Sequence, residues 1–218
     1  MKGREKEFLN VQGDTIGYTV SSHHVDDALK RCFDMMLSAI CLVVFSPLFL
    51  ICFIALKVSS RGPVIFRQER IGLHGKPFYI YKFRSVRMNA EENGPLLISS
   101  TDVERMTKMG KFLRDHHLDE LPQLWNVLRG DMAFVGYRPE RRYYIDKIME
   151  HDSRYERLYQ IRPGVTSYAT LYNGYTDTME KMLRRLELDL YYLEHRSWWL
   201  DIRILGNTFL SIATGKKF

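Results

Sequence analysis

Two adjacent acidic residues, Asp119 and Glu120, lie where the sequence predicts the start of a helix. The helix dipole and the unpaired N–H groups at a helix N-terminus favour the ionised form of an aspartate. An ionised carboxylate can be a nucleophile towards phosphorus or a ligand of Mg²⁺, and its neighbour can share the metal or move a proton. Acidic residues are also common at helix N-termini without a catalytic role, so position alone leaves both interpretations open.

Basic residues lie on both sides of this acidic pair. Arg114 precedes it, and Arg138 follows it in a Gly-Tyr-Arg-Pro turn that ends at Pro139. Guanidinium groups bind phosphate oxygens with paired hydrogen bonds, so they could offset the charge that develops in phosphoryl transfer. Lys82 and Arg84, on a predicted strand, could extend the same basic surface. A single arginine of this kind is more often part of a surface ion pair, so the role of each remains a hypothesis.

The adjacent residues His116 and His117 could suggest a metal site. Neighbouring side chains on a helix diverge, and no third ligand is suitably spaced, so we expect a structural or solvated role for them. The sequence has no Walker loop, dinucleotide-binding glycine pattern, nucleophile-elbow serine or zinc pattern. Phosphoryl chemistry at the acidic pair is therefore the only catalytic hypothesis that the local motifs offer.

The composition is that of a globular protein of one or at most two domains. The chain has 218 residues, of which 45% are hydrophobic and 27% charged, and this excludes disordered, collagen-like and coiled-coil proteins. A mean hydropathy of −0.27 excludes a polytopic membrane protein, and a net charge of +6 favours phosphate-bearing partners or an anionic membrane surface. Cys32, Cys41 and Cys52 have no metal-ligand spacing and indicate reduced thiols in a cytosol-facing protein.

One apolar segment runs from Met35 to Leu56 without a charged residue. About 22 residues would cross roughly 30 Å of hydrocarbon as a straight helix. Ser46 and Pro47 interrupt the segment near its middle. Proline removes a backbone donor and clashes with the preceding turn, whereas a serine hydroxyl can bond the freed carbonyl. The segment is therefore predicted to break there.

The flanks of the apolar segment indicate its topology. Basic residues occur on both sides of it, at Lys30, Arg31, Lys57 and Arg61. A spanning helix would tend to have its basic flank on the cytoplasmic side only, so this pattern favours both ends inside. We predict a re-entrant helical hairpin, with a kinked single span and a buried core helix as the alternatives.

Periodicity and turn signals predict the elements after this segment. A β-hairpin is predicted from Val64–Arg70 and Pro77–Val86. The further segments, in chain order, are a helix over 101–114, a helix from Asp119 to Gly130 with Pro122 in its first turn, a short apolar run at Met132–Val135, and helices over 140–160, 177–194 and 198–213. The last helix is amphipathic and rich in aromatic residues, so it could lie at a membrane interface or dock onto the core.

The sequence closely resembles the bacterial sugar transferases, the monotopic phosphoglycosyl transferases that start glycan assembly on polyprenyl phosphate. The resemblance is most specific from Leu113 to Asp131 and in the Val-Gly-Tyr-Arg-Pro run that ends at Pro139. Four further features occur in the family's order: Tyr81-Lys-Phe-Arg84, Ser46-Pro47, Arg162-Pro-Gly-Val-Thr166 and Asn173-Gly174. The resemblance covers about residues 27 to 215.

The resemblance implies a Mg²⁺-dependent enzyme on the cytoplasmic face of the bacterial inner membrane. Such enzymes transfer a sugar 1-phosphate from a UDP-sugar to polyprenyl (undecaprenyl) phosphate and release UMP. This is the initiating step of a surface glycan such as an exopolysaccharide, a capsule, an O-antigen or a glycoprotein. The implied partners are the UDP-sugar, polyprenyl phosphate and bacterial membrane lipid, and not nucleic acid. A homodimer is left open.

The family motif also implies a role for each candidate residue. Asp119 would be the nucleophile that forms a covalent phosphosugar intermediate and binds Mg²⁺, and Glu120 would assist the metal and the proton movements. Arg114, Arg138 and Pro139 would hold phosphates.

The expected fold is α+β and mostly helical. A re-entrant membrane helix-break-helix is predicted over residues 27–58. A cytosolic, membrane-associated catalytic domain with a small β-hairpin and amphipathic interfacial helices is predicted over residues 59–218. Residues 1–26 are predicted to form a tail of unknown role.

The chain departs from the family pattern at four positions: Tyr137, Ser167, Thr170 and Tyr175. The family usually has proline, glycine, glutamine and arginine there, so we expect these departures to affect substrate choice. Two other functions stay open. An anchored binding module would use its basic face to recruit nucleic acid or anionic lipid, and a non-catalytic relative would bind nucleotide sugars without turnover.

Overall fold

The fold is described from a computed structural model, for residues 27–59, 61–86, 106–174 and 176–214. The predicted tail over 1–26, the first five residues of the helix predicted over 101–114 and the departure at Tyr175 lie outside these residues.

Eight helices and four short strands form the part of the chain described. The helices are α1 (Asp27–Val44), α2 (Ser46–Ser59), α3 (Lys108–Asp115), α4 (Gln123–Arg129), α5 (Arg142–Met149), α6 (Tyr168–Asn173), α7 (Met179–His195) and α8 (Trp198–Ala213). The strands are β1 (Ile65–Ile71), β2 (Pro77–Phe83), β3 (Ala133–Val135) and β4 (Gly164–Thr166). Three 3-10 segments occupy Leu73–Gly75, Leu118–Glu120 and Ser153–Gln160. The described structure is mostly helical, as predicted, and its two small sheets include the predicted β-hairpin.

The strands β1 and β2 form the predicted antiparallel hairpin. Their register runs from Ile65 opposite Phe83 to Ile71 opposite Pro77. The connection contains the 3-10 segment, in which His74 adopts a left-handed backbone conformation with φ 58°. The hairpin is a local structure whose alternating pattern is visible in the sequence, which is why its position was predictable.

The apolar segment is a bent helix pair. The break lies at Phe45, between α1 and α2, next to the predicted Ser46-Pro47 step. Pro47 cannot donate to the carbonyl of Val43, and the Ser46 hydroxyl donates to that oxygen instead, over 2.8 Å. Among the residues described, no single helix has the length and composition to cross a membrane, but α1 and α2 together meet both criteria, with a 61° bend between them.

The N-terminal half of α1 is docked onto the rest of the protein through polar contacts. Lys30 Nζ lies 2.6 Å from Asp201 Oδ2 on α8, and Ser38 Oγ donates to the Leu124 carbonyl on α4 over 2.6 Å. These side chains are buried. Because buried polar groups need partners, these contacts fix the orientation of α1 against α4 and α8.

The remaining surface of the helix pair and the outer face of α8 are apolar. Their exposed large side chains are Leu29, Phe33, Met35, Met36, Ile40, Val43, Val44, Phe45, Leu50, Ile51, Phe53, Ile54, Val58, Trp199, Ile202, Phe209, Leu210 and Ile212. On the opposite face of α8, Asp201 and Ile204 are buried. The helix therefore docks onto the core with one face, as one of the two sequence alternatives predicted, and exposes an apolar face.

The helix predicted over 101–114 begins later than expected. Met106 pairs with Val86 in an isolated antiparallel bridge, and Thr107 is extended. The Thr107 hydroxyl accepts the main-chain N–H of Gly110 over 2.9 Å, so α3 starts at Lys108. The prediction was wrong at this end because a non-local bridge holds the preceding residues extended.

The single helix predicted over 140–160 was also wrong. The α5 helix ends at Met149, and a separate 3-10 segment begins at Ser153. Between them, the Asp152 carboxylate accepts the main-chain N–H of Arg154 over 2.9 Å. An aspartate that bonds a nearby main-chain N–H favours a cap over a continuous helix.

The parallel pairing of β3 with β4 was not predicted. Ala133 lies opposite Gly164, and Val135 lies opposite Thr166. The backbone at Gly136, directly after β3, lies very close to the backbone at Arg162, just before β4. A Cβ on Gly136 would lie only 2.3 Å from the Arg162 carbonyl oxygen. This contact holds the turn that follows Gly136 against the segment around Gly164.

Asn126 on α4 connects the helix to the hairpin. Its side chain accepts the main-chain N–H of Tyr81 over 3.0 Å and donates to the carbonyl of Tyr79 over 2.7 Å. It also donates to Asp131 over 3.2 Å, and it is fully buried. One amide thus fixes α4 against the strand that carries Lys82.

We expect Asn126→Ala to lower the free energy of unfolding by roughly 2 to 4 kcal/mol, because two buried main-chain groups of β2 lose their partner. Asn173→Ala is the matched control, since this asparagine makes one side-chain hydrogen bond, to the Lys181 carbonyl over 2.8 Å. It should cost about 1 kcal/mol or less. Denaturant unfolding of the purified protein measures both, and equal losses would contradict the role given to Asn126.

Candidate active site

The acidic pair lies in the short connection between α3 and α4. His117 has a left-handed backbone conformation with φ 55°, and the 3-10 segment Leu118–Glu120 follows it directly. Pro122 lies immediately before α4, just outside the first turn in which the sequence placed it, and Gly130 ends the helix in a left-handed conformation with φ 96°. The predicted helix start at Asp119 is thus a 3-10 turn that continues into α4.

Glu120 is held by two cationic side chains. Its Oε1 atom lies 2.6 Å from Lys82 Nζ on β2 and 3.7 Å from Arg138 Nη2. Burial opposes ionisation of this carboxyl, but the positive charges of Lys82 and Arg138 outweigh it and lower the pKa of Glu120 to about 2. Glu120 is therefore ionised throughout the neutral pH range.

Asp119 has the opposite environment. Its side chain is buried, with 7% of the residue exposed. Burial raises the pKa of Asp119 to about 6, and Glu120 acts in the same direction against Lys82, Arg114 and Arg138. The sequence predicted that helix-terminal groups hold this carboxylate ionised, but burial is the strongest influence and acts against ionisation. A carboxyl with this pKa is still mostly ionised at pH 7.

Three of the predicted basic residues converge on the pair. Lys82, Arg114 and Arg138 supply the positive charges that act most strongly on Asp119. Arg84 does not rank with them: it lies beyond the end of β2, is buried, and donates its main-chain N–H to Val64. Pro139 presents its main-chain carbonyl to Arg70 rather than to the acidic pair, over 3.2 Å.

His117 also faces the acidic pair. It is half-buried, burial lowers the pKa of its imidazole, and it interacts electrostatically with Glu120 and Arg138. Across the residues described, no group of three or more His, Cys, Asp or Glu side chains is arranged to hold a metal ion. Any metal at this position would therefore depend on the two carboxylates and on oxygens that a ligand brings.

A second layer of buried acidic residues supports the turn that carries Arg138. Glu140 lies 3.0 Å from Arg70 and 2.8 Å from Arg185 on α7, and it is buried. Asp189, also on α7, hydrogen-bonds the main-chain N–H of Arg138, and burial raises the pKa of this carboxyl to about 7. Sequence reasoning missed both acids. The spacing of Arg185 and Asp189, one helical turn apart, was the available signal.

Comparison with known proteins places this arrangement in a family. A family model described as bacterial sugar transferase matches residues 25–215. The chain is also similar to several curated proteins, and the shares of each protein that align differ widely.

Three relatives illustrate the range. A UDP-N-acetylgalactosamine-undecaprenyl-phosphate N-acetylgalactosaminephosphotransferase from Aeromonas hydrophila is 38% identical over 187 residues, or 86% of this chain and 44% of that protein. A UDP-glucose:undecaprenyl-phosphate glucose-1-phosphate transferase from Escherichia coli (strain K12) is 41% identical over 194 residues, or 88% of this chain and 41% of that protein. The exopolysaccharide production protein PSS from Rhizobium leguminosarum bv. phaseoli is 36% identical over 204 residues, or 89% of this chain and 100% of that protein. The chain thus spans less than half the length of the first two.

We expect Lys82→Met to raise the pKa of Glu120 from about 2 towards the ordinary range of a glutamate, because Lys82 is the strongest of the charges that lower it. Carboxyl-carbon NMR of the labelled protein measures this pKa. Lys147→Met is the control, since Lys147 is an exposed lysine on α5 and should leave Glu120 unchanged. An unchanged pKa in Lys82→Met would show that the ion pair does not control the charge of Glu120.

Proposed function

The chain belongs to the bacterial sugar transferase family, and we propose that it transfers a sugar 1-phosphate from a UDP-sugar to undecaprenyl phosphate and releases UMP. The observation that carries this proposal is the site itself. A buried carboxylate lies beside a second carboxylate that is ionised at neutral pH, the charges of Lys82 and Arg138 act on both, and that of Arg114 acts on Asp119. Such a site suits a diphosphate substrate, because the cations offset the phosphate charge.

In the first step, a carboxylate oxygen of Asp119 attacks the β-phosphorus of the UDP-sugar. The bond from this phosphorus to the oxygen shared with the α-phosphate breaks, and UMP leaves with that oxygen. The phosphosugar stays on Asp119 as an acyl phosphate. Burial of Asp119 supports this role, since a poorly solvated carboxylate has less water to displace before it attacks.

In the second step, a phosphate oxygen of undecaprenyl phosphate attacks the same phosphorus. The bond between phosphorus and Asp119 breaks, which restores the carboxylate and gives a diphosphate-linked sugar. Neither displacement requires a net proton. This agrees with Glu120, whose pKa of about 2 leaves it without a proton to donate at neutral pH. We therefore assign Glu120 to charge and metal binding, since an ionised carboxylate can accept a proton but has none to donate.

Lys82 and Arg138 fix the position of Glu120 and supply positive charge beside Asp119. Both contact Glu120 through the same oxygen, and Arg138 keeps 41% of its side chain exposed. An exposed guanidinium beside the nucleophile can bind the phosphate oxygens of an incoming substrate. Arg114 adds positive charge from the last turn of α3. These side chains position the diphosphate so that Asp119 faces its β-phosphorus.

The two carboxylates also fit a magnesium ion, which typically binds one or two protein carboxylates together with substrate phosphates. Asp119 and Glu120 would hold it, and the ion would neutralise phosphate charge. Binding by two carboxylates agrees with the absence of a larger ligand cluster among the residues described.

We also propose that the helix pair enters the cytoplasmic leaflet of the bacterial inner membrane and returns. The 14 residues of α2 extend about 21 Å, less than the roughly 30 Å of a hydrocarbon core. The 61° bend and the exposed apolar side chains of α1, α2 and α8 support this placement. A shallow position would leave the site in contact with water for the nucleotide sugar and close to the lipid-linked phosphate.

Without an acceptor, the purified protein should release about one UMP per active site from a suitable UDP-sugar, because the first displacement uses Asp119 as the nucleophile and does not involve the acceptor. Turnover should follow when undecaprenyl phosphate is added. A chelator that removes magnesium should prevent this turnover. The panel starts with UDP-glucose and UDP-N-acetylgalactosamine, the sugars of the relatives' names. UMP release is the measurement.

Asp119→Asn should abolish both the initial release and the turnover. Asp115→Asn is the control, since Asp115 is an exposed carboxylate at the end of α3. UMP release that always requires the acceptor would contradict the covalent intermediate. Nucleotide sugars left intact under every condition would instead favour the binding-module interpretation.

Topology is tested with single cysteines in a variant whose native cysteines are replaced by serine. Asp27→Cys and Arg61→Cys flank the helix pair, and both should react with an impermeant maleimide in inside-out vesicles and not in right-side-out vesicles. Glu150→Cys, in the exposed turn after α5, controls the vesicle orientation. Labelling of the two flanks from opposite sides would rule out the re-entrant arrangement.

A further inference from the structure

A cavity of about 270 Å³ lies apart from the acidic pair. It is bordered by the first turns of α1, the 3-10 segment Leu73–Gly75, β3, and the residue that joins α7 to α8. Asp119 and Glu120 do not line it. Its volume is sufficient for a phosphate group with part of the molecule that carries it.

The charged side chains around this cavity are mostly cationic. Those that line it are Lys30, Arg31, Arg162, Arg196, Asp27 and Asp34. Lys30 is neutralised by Asp34 and by Asp201, which lies behind it. Arg196 pairs with Asp27 in the same way, so Arg31 and Arg162 are the cationic groups of the lining that form no ion pair within the described ranges.

Arg31 and Arg162 are held by carbonyl oxygens and not by carboxylates. Arg31 donates to the carbonyls of Val127 and Leu128 over 2.5 and 2.8 Å, and Arg162 Nε donates to the carbonyl of Gly130 over 3.0 Å. Both guanidinium groups thus lie at the C-terminal end of α4, close enough to repel each other. Within the described ranges, neither forms an ion pair. An anion between them would relieve this repulsion.

Arg196 provides a separate observation that points to a ligand. One of its Nη atoms donates to Asp27. Its Nε atom is buried and has no hydrogen-bond partner among the residues described. A buried N–H without a partner is costly, and the side chain that carries it lines the cavity.

We propose that this cavity binds a phosphate group through Arg31, Arg162 and Arg196, at a site distinct from the acidic pair. The phosphate belongs either to a lipid headgroup or to a soluble phosphate compound. The bound phosphate would link three segments that line the cavity: the first turns of α1, the turn at Arg162 and the junction between α7 and α8. This goes beyond the proposed transfer reaction, which does not need the cavity.

His74 and His117 make the test specific, because His74 lines the cavity and His117 lies beside the acidic pair. Inorganic phosphate is titrated into the full chain in an uncharged detergent, and the imidazole Cε1–H NMR signals of both residues are followed. We expect the His74 signal to shift and saturate. Any shift of the His117 signal, from phosphate at the acidic pair, should follow a different curve.

The saturable His74 shift should be lost in Arg196→Gln and in Arg162→Gln. Arg157→Gln is the matched control, because Arg157 also pairs with an exposed acid, Glu194, but does not line the cavity. It should keep the full shift. A variant is still folded if, before phosphate is added, its His117 signal has the same chemical shift as in the parent protein.

Nanodiscs that contain phosphatidylglycerol distinguish the two sources. If the headgroup is the ligand, the His74 signal should already be at its bound position there, and added phosphate should not move it. If a soluble phosphate is the ligand, added phosphate should move the signal in both media. The proposal is overturned if His74 shows no saturable shift in either medium, or if folded Arg196→Gln shifts as the parent does.

Discussion

The ion pair between Lys82 and Glu120 joins the two halves of the candidate site. Lys82 comes from the hairpin and Glu120 from the turn before α4, so their 2.6 Å contact exists only if strand and helix are held in one relative position. Asn126 supplies that constraint, since it occupies two main-chain groups of β2 from within α4. If strand and helix moved apart, Glu120 would lose its main counter-ion and Asp119 its nearest strong positive charge.

The two carboxyl groups are adjacent in sequence and yet have opposite properties. Both are removed from water, which by itself disfavours ionisation. Direct contact with Lys82 and Arg138 lowers the pKa of Glu120 despite its burial. For Asp119, the effect of burial on the pKa is larger than that of the same cations, so its pKa is raised. The result is a carboxylate that is ionised at neutral pH beside one that is poorly stabilised. This difference gives the pair a division of roles, with a fixed charge that binds cations and a neighbour that can react.

The sequence could predict what is local. The hairpin, the break beside Pro47 and the stop at Gly130 each follow from a few neighbouring residues. Long-range features could not be predicted in this way. The pairing of β3 with β4 and the contact of Asp189 with the Arg138 turn join segments that lie 30 or more residues apart. The acidic pair was recognisable because its charge and spacing are local, but its pKa values depend on Lys82, which another element supplies.

Three of the four departures from the family pattern, at Tyr137, Ser167 and Thr170, lie in the described part of the chain. Ser167 and Thr170 act together, because the Ser167 hydroxyl accepts the Thr170 main-chain N–H and bonds the Thr170 hydroxyl, both over 2.9 Å. They form the N-terminal cap of α6, and Ser167 is buried. Tyr137 is also fully buried, in the core behind the Arg138 turn. The buried side chains of Ser167 and Tyr137 therefore support local backbone, that of α6 and that of the Arg138 turn respectively, whereas Thr170 is half-buried.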